Sequence, residues 1–420
     1  MRWLHTAGRV LLVCAVLLTA YAGAAPRTED GGRGPITLVT AGDLTDYLEL
    51  VLADWNREHP DERVTLIELP DSADETRAQM ITELRSGSDR FDVLNIDVAW
   101  TSEFAAAGWI RTMDRDRFPF DSFLPPVEDT ATFADRLYAV PYVTNAGLLY
   151  YRADILEAEG VRPPRDWAEL ERLARTLAPK HELDGYAGQF LPYEGLAVNA
   201  TEAVHSAGGS ILEDDGAKVT VDSAAAREGL GFLARGVREG WIPRAALDFK
   251  EEESRQAFQD GELLFLRNWP YVYAGANAEE SAVGGRVGTV PLPGPDGPGA
   301  SVLGGSNLAV STQSRHPESA ADLIAFLTSE PVQRRVLTLG ALPPVRAGLY
   351  SDPELVRQFP YLPTLRQSVL AAEPRPKSPR YDQVTLAVQA VVSDTMAGRQ
   401  SPDSAVARLN RELEAIARRG

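Results

Sequence analysis

Residues 91–110 read FDVLNIDVAWTSEFAAAGWI: an apolar run to Ile96, an acid at Asp97, then an alanine-rich stretch that stops at Gly108. A short run without alternation suits a strand buried on both faces, and the stretch after Asp97 has helical character. Upstream, 36–40 (ITLVT) and 64–69 are further β-prone runs. Between them Leu44, Tyr47, Leu48, Val51, Leu52 and Trp55 fall at i, i+3, i+4, i+7, i+8 and i+11, one face of a helix that ends before Pro60. A second helix is predicted over 73–85, with Met80, Ile81 and Leu84 inward and Gly87 beyond its end. Strand–helix–strand–helix–strand implies right-handed crossovers and a mostly parallel sheet.

Downstream, 138–151 (YAVPYVTNAGLLYY) is β-rich, and helical patterning follows at 166–178, 223–239 and 252–260. Residues 263–266 form a strand ending at Arg267-Asn268-Trp269-Pro270, and the Gly/Pro-rich 284–301 reads as loop. Helices are predicted over 317–328 and 330–338, and a last one carries Val406, Leu409, Leu413 and Ile416 on one face. The class is α/β, in a chain of 420 residues that is long enough for two domain-sized bodies.

Composition narrows function. Hydrophobic residues make up 44% and charged residues 24%, ordinary for a globular chain. Lys+Arg number 42 against 60 Asp+Glu, a net charge of −18, which argues against nucleic acid as a partner. One cysteine, Cys14, excludes an internal disulfide, and five scattered histidines without an HExxH pair argue against a metal site. No cofactor fingerprint, Walker loop or GxSxG elbow occurs, so no cofactor is expected.

The N-terminus directs export. Arg2 and Arg9 precede the apolar stretch 10–20, and small residues follow to Ala25, the layout of a secretory signal over 1–22. A buried helix or an uncleaved anchor is the alternative. Leu12-Val13 before Cys14 do not form a lipobox, and 23–35 reads as a flexible tether.

The segments then resemble, in order, the extracellular solute-binding proteins of carbohydrate ABC importers. Residues 91–110 are similar to that family's strand–acid–helix element, 137–156 (LYAVPYVTNAGLLYYRADIL) to its first crossing between lobes, and 257–274 (AFQDGELLFLRNWPYVYA) to its Trp-Pro element. YEGL (193–196), EEESR (251–255), GGSNLAV (304–310) and PRPKSPRY (374–381) look most like trehalose- and maltose-type receptors, the actinobacterial trehalose-recycling kind among them.

The resemblance implies a two-lobed periplasmic-binding-protein-like fold with a ligand cleft between the lobes. The expected boundaries are 36–143 with 275–312 for one lobe and 147–272 with 314–420 for the other. It further implies an exported or cell-surface monomer, not an enzyme. Such a receptor holds a neutral disaccharide, trehalose ahead of maltose, for the membrane permease subunits.

A sugar needs hydrogen-bonding partners for its hydroxyls and aromatic faces for its C–H surfaces. Asp97 at its strand tip either faces ligand or caps the helix 98–107, and Asp43 after the first strand carries the same pair of readings. Asn145 matches the crossover amide or is a turn residue, and Trp269 before Pro270 stacks on a sugar or fills core. Tyr193, Glu194, Glu251 and Glu252 are carried over by the resemblance, although an acidic run also suits a solvated helix start. Gly304 and Gly305 either admit close approach to ligand or make a turn. Arg375, between two prolines, is a stiffly held donor or one half of a surface salt bridge. Two other functions stay open: a secreted carbohydrate-active enzyme using two cleft carboxylates, and a receptor for an oligosaccharide, polyamine or anion.

Overall fold

The computed structural model describes residues 32–42 and 46–418. The expected leader 1–22 with Cys14, tether residues 23–31, and Asp43 lie outside the described residues. The opening alternation is β1 (Ile36–Ala41), α1 (Tyr47–Glu58), β2 (Val64–Leu69), α2 (Ala73–Arg85) and β3 (Val93–Asp97). α1 buries Tyr47, Leu48, Val51, Leu52 and Trp55, the face its spacing selects. Next come α3 (Thr101–Ala106), α4 (Val127–Thr130), the hairpin β4 (Thr132–Phe133) and β5 (Arg136–Leu137), and β6 (Val140–Ala146). A single residue, Gly147, then leads into β7 (Leu148–Arg152).

The middle of the chain holds α5 (Ala153–Ala158), α6 (Trp167–Thr176), β8 (Asp184–Ala187) and α7 (Glu194–Ser206). The hairpin β9 (Leu212–Glu213) and β10 (Lys218–Val219) precedes α8 (Ala224–Glu239), α9 (Glu251–Gln259), β11 (Leu263–Asn268), α10 (Val272–Ala276) and β12 (Val287–Pro291). The last part contains β13 (Leu303–Val310), α11 (Pro317–Leu327), α12 (Glu330–Gly340), α13 (Pro353–Gln358), α14 (Leu362–Leu370), α15 (Tyr381–Met396) and α16 (Pro402–Ala417).

Two mixed sheets result. The first has the order β2-β1-β3-β13-β6, with β13 antiparallel to both neighbours; the second has the order β12-β7-β11-β8, with β7 antiparallel to β11 and β12. The expected boundaries need two corrections. Residues 275–312 do not stay with the first lobe, because β12 pairs with β7 from Val287↔Arg152 to Pro291↔Leu148. Residues 314–420 do not all join the second, because α11 packs on β13 and α12 on α1. A helix that follows β13 after a few residues can cover only the sheet that holds β13. α15 and α16 do pack on α7 and α8 of the second lobe.

The chain therefore crosses between lobes at Gly147, in 292–302 and near Glu373. These crossings lie side by side: Gly147 N–H donates to Ser301 Oγ at 2.6 Å, Glu373 N–H to the Ser301 carbonyl at 3.0 Å, and Leu303 N–H to the Glu373 carbonyl at 2.8 Å.

Candidate functional site

β3 and β6 end, and β13 begins, at one edge of the first sheet. In register, Asp97 sits opposite Ser306 and Asn145 opposite Gly304. Two residues along β13 separate the pairs by roughly 7 Å. β11 of the second sheet ends nearby in Asn268-Trp269, and this edge gathers most of the expected residues.

Asp97 does both things its position allows. Its carboxylate accepts the Ala99 N–H at 2.8 Å, capping the turn that follows, and also accepts from Arg375. Arg375 belongs to the segment after the Glu373 crossing and is buried, with Nη1 donating to Glu194 Oε1 at 2.6 Å. Glu194 also accepts from the Tyr381 hydroxyl at 2.5 Å and the Thr385 hydroxyl at 2.6 Å, both on α15. Asp97 thus ties the first lobe to an arginine fixed on the second.

Burial pushes the Asp97 carboxyl up, with Arg375 opposing it. Burial draws Arg375 down, but Asp97, Tyr381 and Glu194 together hold it above its ordinary value. Arg375 Nε finds no hydrogen-bond partner among the described residues. This is not the exposed salt bridge of a surface loop.

Trp269 is half-buried, with an edge of its indole against β13. A Cβ added at Gly304 would stand 2.8 Å from Trp269 Cζ3 and 3.3 Å from Asn145 Cβ. Gly304 therefore makes room for the indole. Gly305 is explained differently: its φ is +101°, and a Cβ would lie 2.1 Å from the Val143 carbonyl oxygen. The β13–β6 contact by itself accounts for a glycine at this position. Asn145 presents a buried Oδ1 that has no partner among the described residues. An unpaired buried acceptor is costly, so a donor brought to it would be well received.

Tyr193, Glu251 and Glu252 take supporting positions. Tyr193 is buried and its hydroxyl donates to Glu251 Oε2 at 2.5 Å. Glu251 also receives, on its backbone carbonyl, the Asn268 side-chain amide at 3.1 Å, and so braces the residue before Trp269. Glu252 is exposed and engaged with the Tyr271 hydroxyl at 2.6 Å and with Arg255. The acidic run therefore caps and braces.

Sequence reasoning missed several residues here. Asp74, in the first turn of α2, has its carboxyl pushed up by desolvation and by the Glu194 charge, against the pull of Arg77. Tyr381 and Thr385 lie on the buried face of α15. Lys377 Nζ reaches Asp129 Oδ1 of the first lobe at 2.7 Å. Arg267, within the apolar strand β11, is the miss with a usable signal: a charge in such a run requires a buried partner. That partner is Glu202, at 2.6 Å.

The family of bacterial extracellular solute-binding proteins matches residues 41–334, and the chain belongs to that family. A "probable ABC transporter-binding protein" of Deinococcus radiodurans is 32% identical over 85% of this chain and 87% of its own length. The structure of maltose-bound MalE3 of T. maritima superposes with a TM-score of 0.85 at 34% identity, covering 91% of this chain and 99% of that one. The acarbose-binding GacH receptor of Streptomyces glaucescens, at 21% identity and a TM-score of 0.80 over 92% and 99%, shares the fold.

The protein is a solute-binding protein of an ABC importer, from an extracellular and non-catalytic family, which removes the enzyme alternative. No described helix is long and apolar enough to cross a membrane.

Proposed function

We propose that this receptor captures a neutral disaccharide of α-linked glucose, trehalose or maltose, between its lobes and hands it to the permease of its importer. One observation carries the proposal: an incompletely buried indole, Trp269, packs by its edge at Gly304 next to Asn145, whose Oδ1 is unpaired among the described residues, and Asp97, paired with Arg375, ends β3 on the other side of β13. The maltose in the T. maritima protein, a third identical in sequence, supports the same class of cargo. Stacking on Trp269 would cover the C–H face of one ring, while Asp97, Asn145 and Arg375 would bond hydroxyls. Contacts from both lobes favour the closed form by the difference in affinity between open and closed states.

Titration calorimetry with trehalose, maltose and longer glucans tests the proposal. Saturable one-to-one binding of a disaccharide, nearly insensitive to salt, is expected because the cargo carries no charge. Tight binding of an anion, polyamine or peptide with no heat from either sugar overturns it.

A further inference from the structure

Arg267 is only 1% exposed in β11, and each of its three guanidinium nitrogens has a partner. Nε and Nη2 donate to Glu202 Oε2 and Oε1 at 2.7 and 2.6 Å, and Nη1 donates to Gln189 Oε1 at 2.9 Å. Its guanidinium carbon lies 4.0 Å from the centre of a Trp269 ring, so the planar cation covers one face of the indole. Glu202, at the other end of the ion pair, reaches the crossings. Its Oε1 accepts the Ser301 hydroxyl at 2.8 Å and the Val302 N–H at 3.4 Å, while Ser301 Oγ accepts the Gly147 N–H. Space is tight here: a Cβ at Gly147 would stand 2.7 Å from Glu202 Oε1 and 2.8 Å from Arg267 Nη2. Three adjacent layers follow: crossing backbone, buried ion pair, indole.

A sealed ion pair repays its desolvation poorly, and apolar side chains of the same volume would pack as well. What the pair supplies is orientation, because a bidentate carboxylate fixes the guanidinium plane. We propose that Arg267 is a positioning residue: locked by Glu202 to the crossings at Gly147 and Ser301, it backs one face of Trp269 and holds the other toward the cargo. The cargo half of this statement rests on the sugar-receptor proposal above. Moving the crossings would move the ring, so Trp269 is set by the hinge as well as by its own strand.

The test is ¹⁹F NMR of the full chain labelled with 5-fluorotryptophan, the Trp269 signal being assigned with Trp269→Phe. Two variants avoid leaving a lone buried charge. Arg267→Met combined with Glu202→Gln removes both charges, and Arg267→Lys keeps the pair but not the plane. In both, the Trp269 signal is expected to shift or broaden while those of Trp55 and Trp100 stay. Affinity for maltose or trehalose is expected to fall about tenfold. An unmoved Trp269 signal in both variants overturns the positioning role. Wild-type protein that binds neither sugar defeats the cargo proposal instead, and leaves the NMR result to decide the role of Arg267.

Discussion

Arg267 and Arg375 are both buried, and each pairs with a glutamate of α7, Glu202 near one end and Glu194 at the other. Their surroundings differ. Arg267 and Glu202 lie within the second lobe, with Gln189 and Ser301 completing their bonds. Arg375 instead reaches across to Asp97 of the first lobe, whose side chain is 23% exposed, and its Nε has no partner among the described residues. The same chemistry closes on itself at Arg267, and at Arg375 joins the two lobes with bonding capacity left over, which on the proposed function makes the first an anchor and the second an exchangeable contact.

That contrast can be broken by mutation. Glu202→Ala strands a buried cation and should cost about 3–5 kcal/mol in chemical denaturation, the largest effect expected. A loss under about 1 kcal/mol would mean that the pair is no anchor. Trp269→Ala should leave folding nearly intact and cost about 2 kcal/mol or more in sugar affinity. Asp97→Asn should cost about 1.5 kcal/mol in affinity with a smaller change in stability, since Glu194 still pairs with Arg375. The reverse ranking, stability falling more than affinity, would place Asp97 with the anchors.

The smallest effect concerns His205, one turn from Glu202 and 3.6 Å from Glu373 at the third crossing. Burial holds its imidazole below the ordinary value of 6.5, against the pull of Glu373 and Glu202. The folded state thus resists protonation more than the unfolded chain does. Stability is full above 6.5 and is lost as pH falls from there through the lower folded value. Tm measured against pH should show this decline in wild type, and a shallower one in His205→Gln.

The sequence exposed the parts of the fold that alternate. α1 and α2 announce themselves by an apolar face, and β3 by a short, mainly apolar run, Val93-Leu94-Asn95-Ile96, that ends in an acid. α7 gives no such period, because every residue from Glu194 to His205 is buried. Glu202 was invisible for that reason, and with it the link between ring and hinge. β12 reads as loop in the sequence because it is an edge strand, half-buried along its whole length, with a glycine inside and a proline at its end. Asp97, Asn145, Trp269 and Arg375 stand out in the sequence by position and resemblance, and the fold brings them to one end of the first sheet. The reasons for Gly304 and Gly305, an indole edge and a carbonyl oxygen, depend on contacts between distant segments that spacing does not carry.

Titration calorimetry of wild type and Trp269→Ala with trehalose and maltose tests the sugar-receptor account most directly. It predicts saturable one-to-one binding of at least one disaccharide to wild type, weakened by about 30-fold or more in the variant. Sugar affinity unchanged by Trp269→Ala, or no binding of either disaccharide to the wild-type protein, would contradict it.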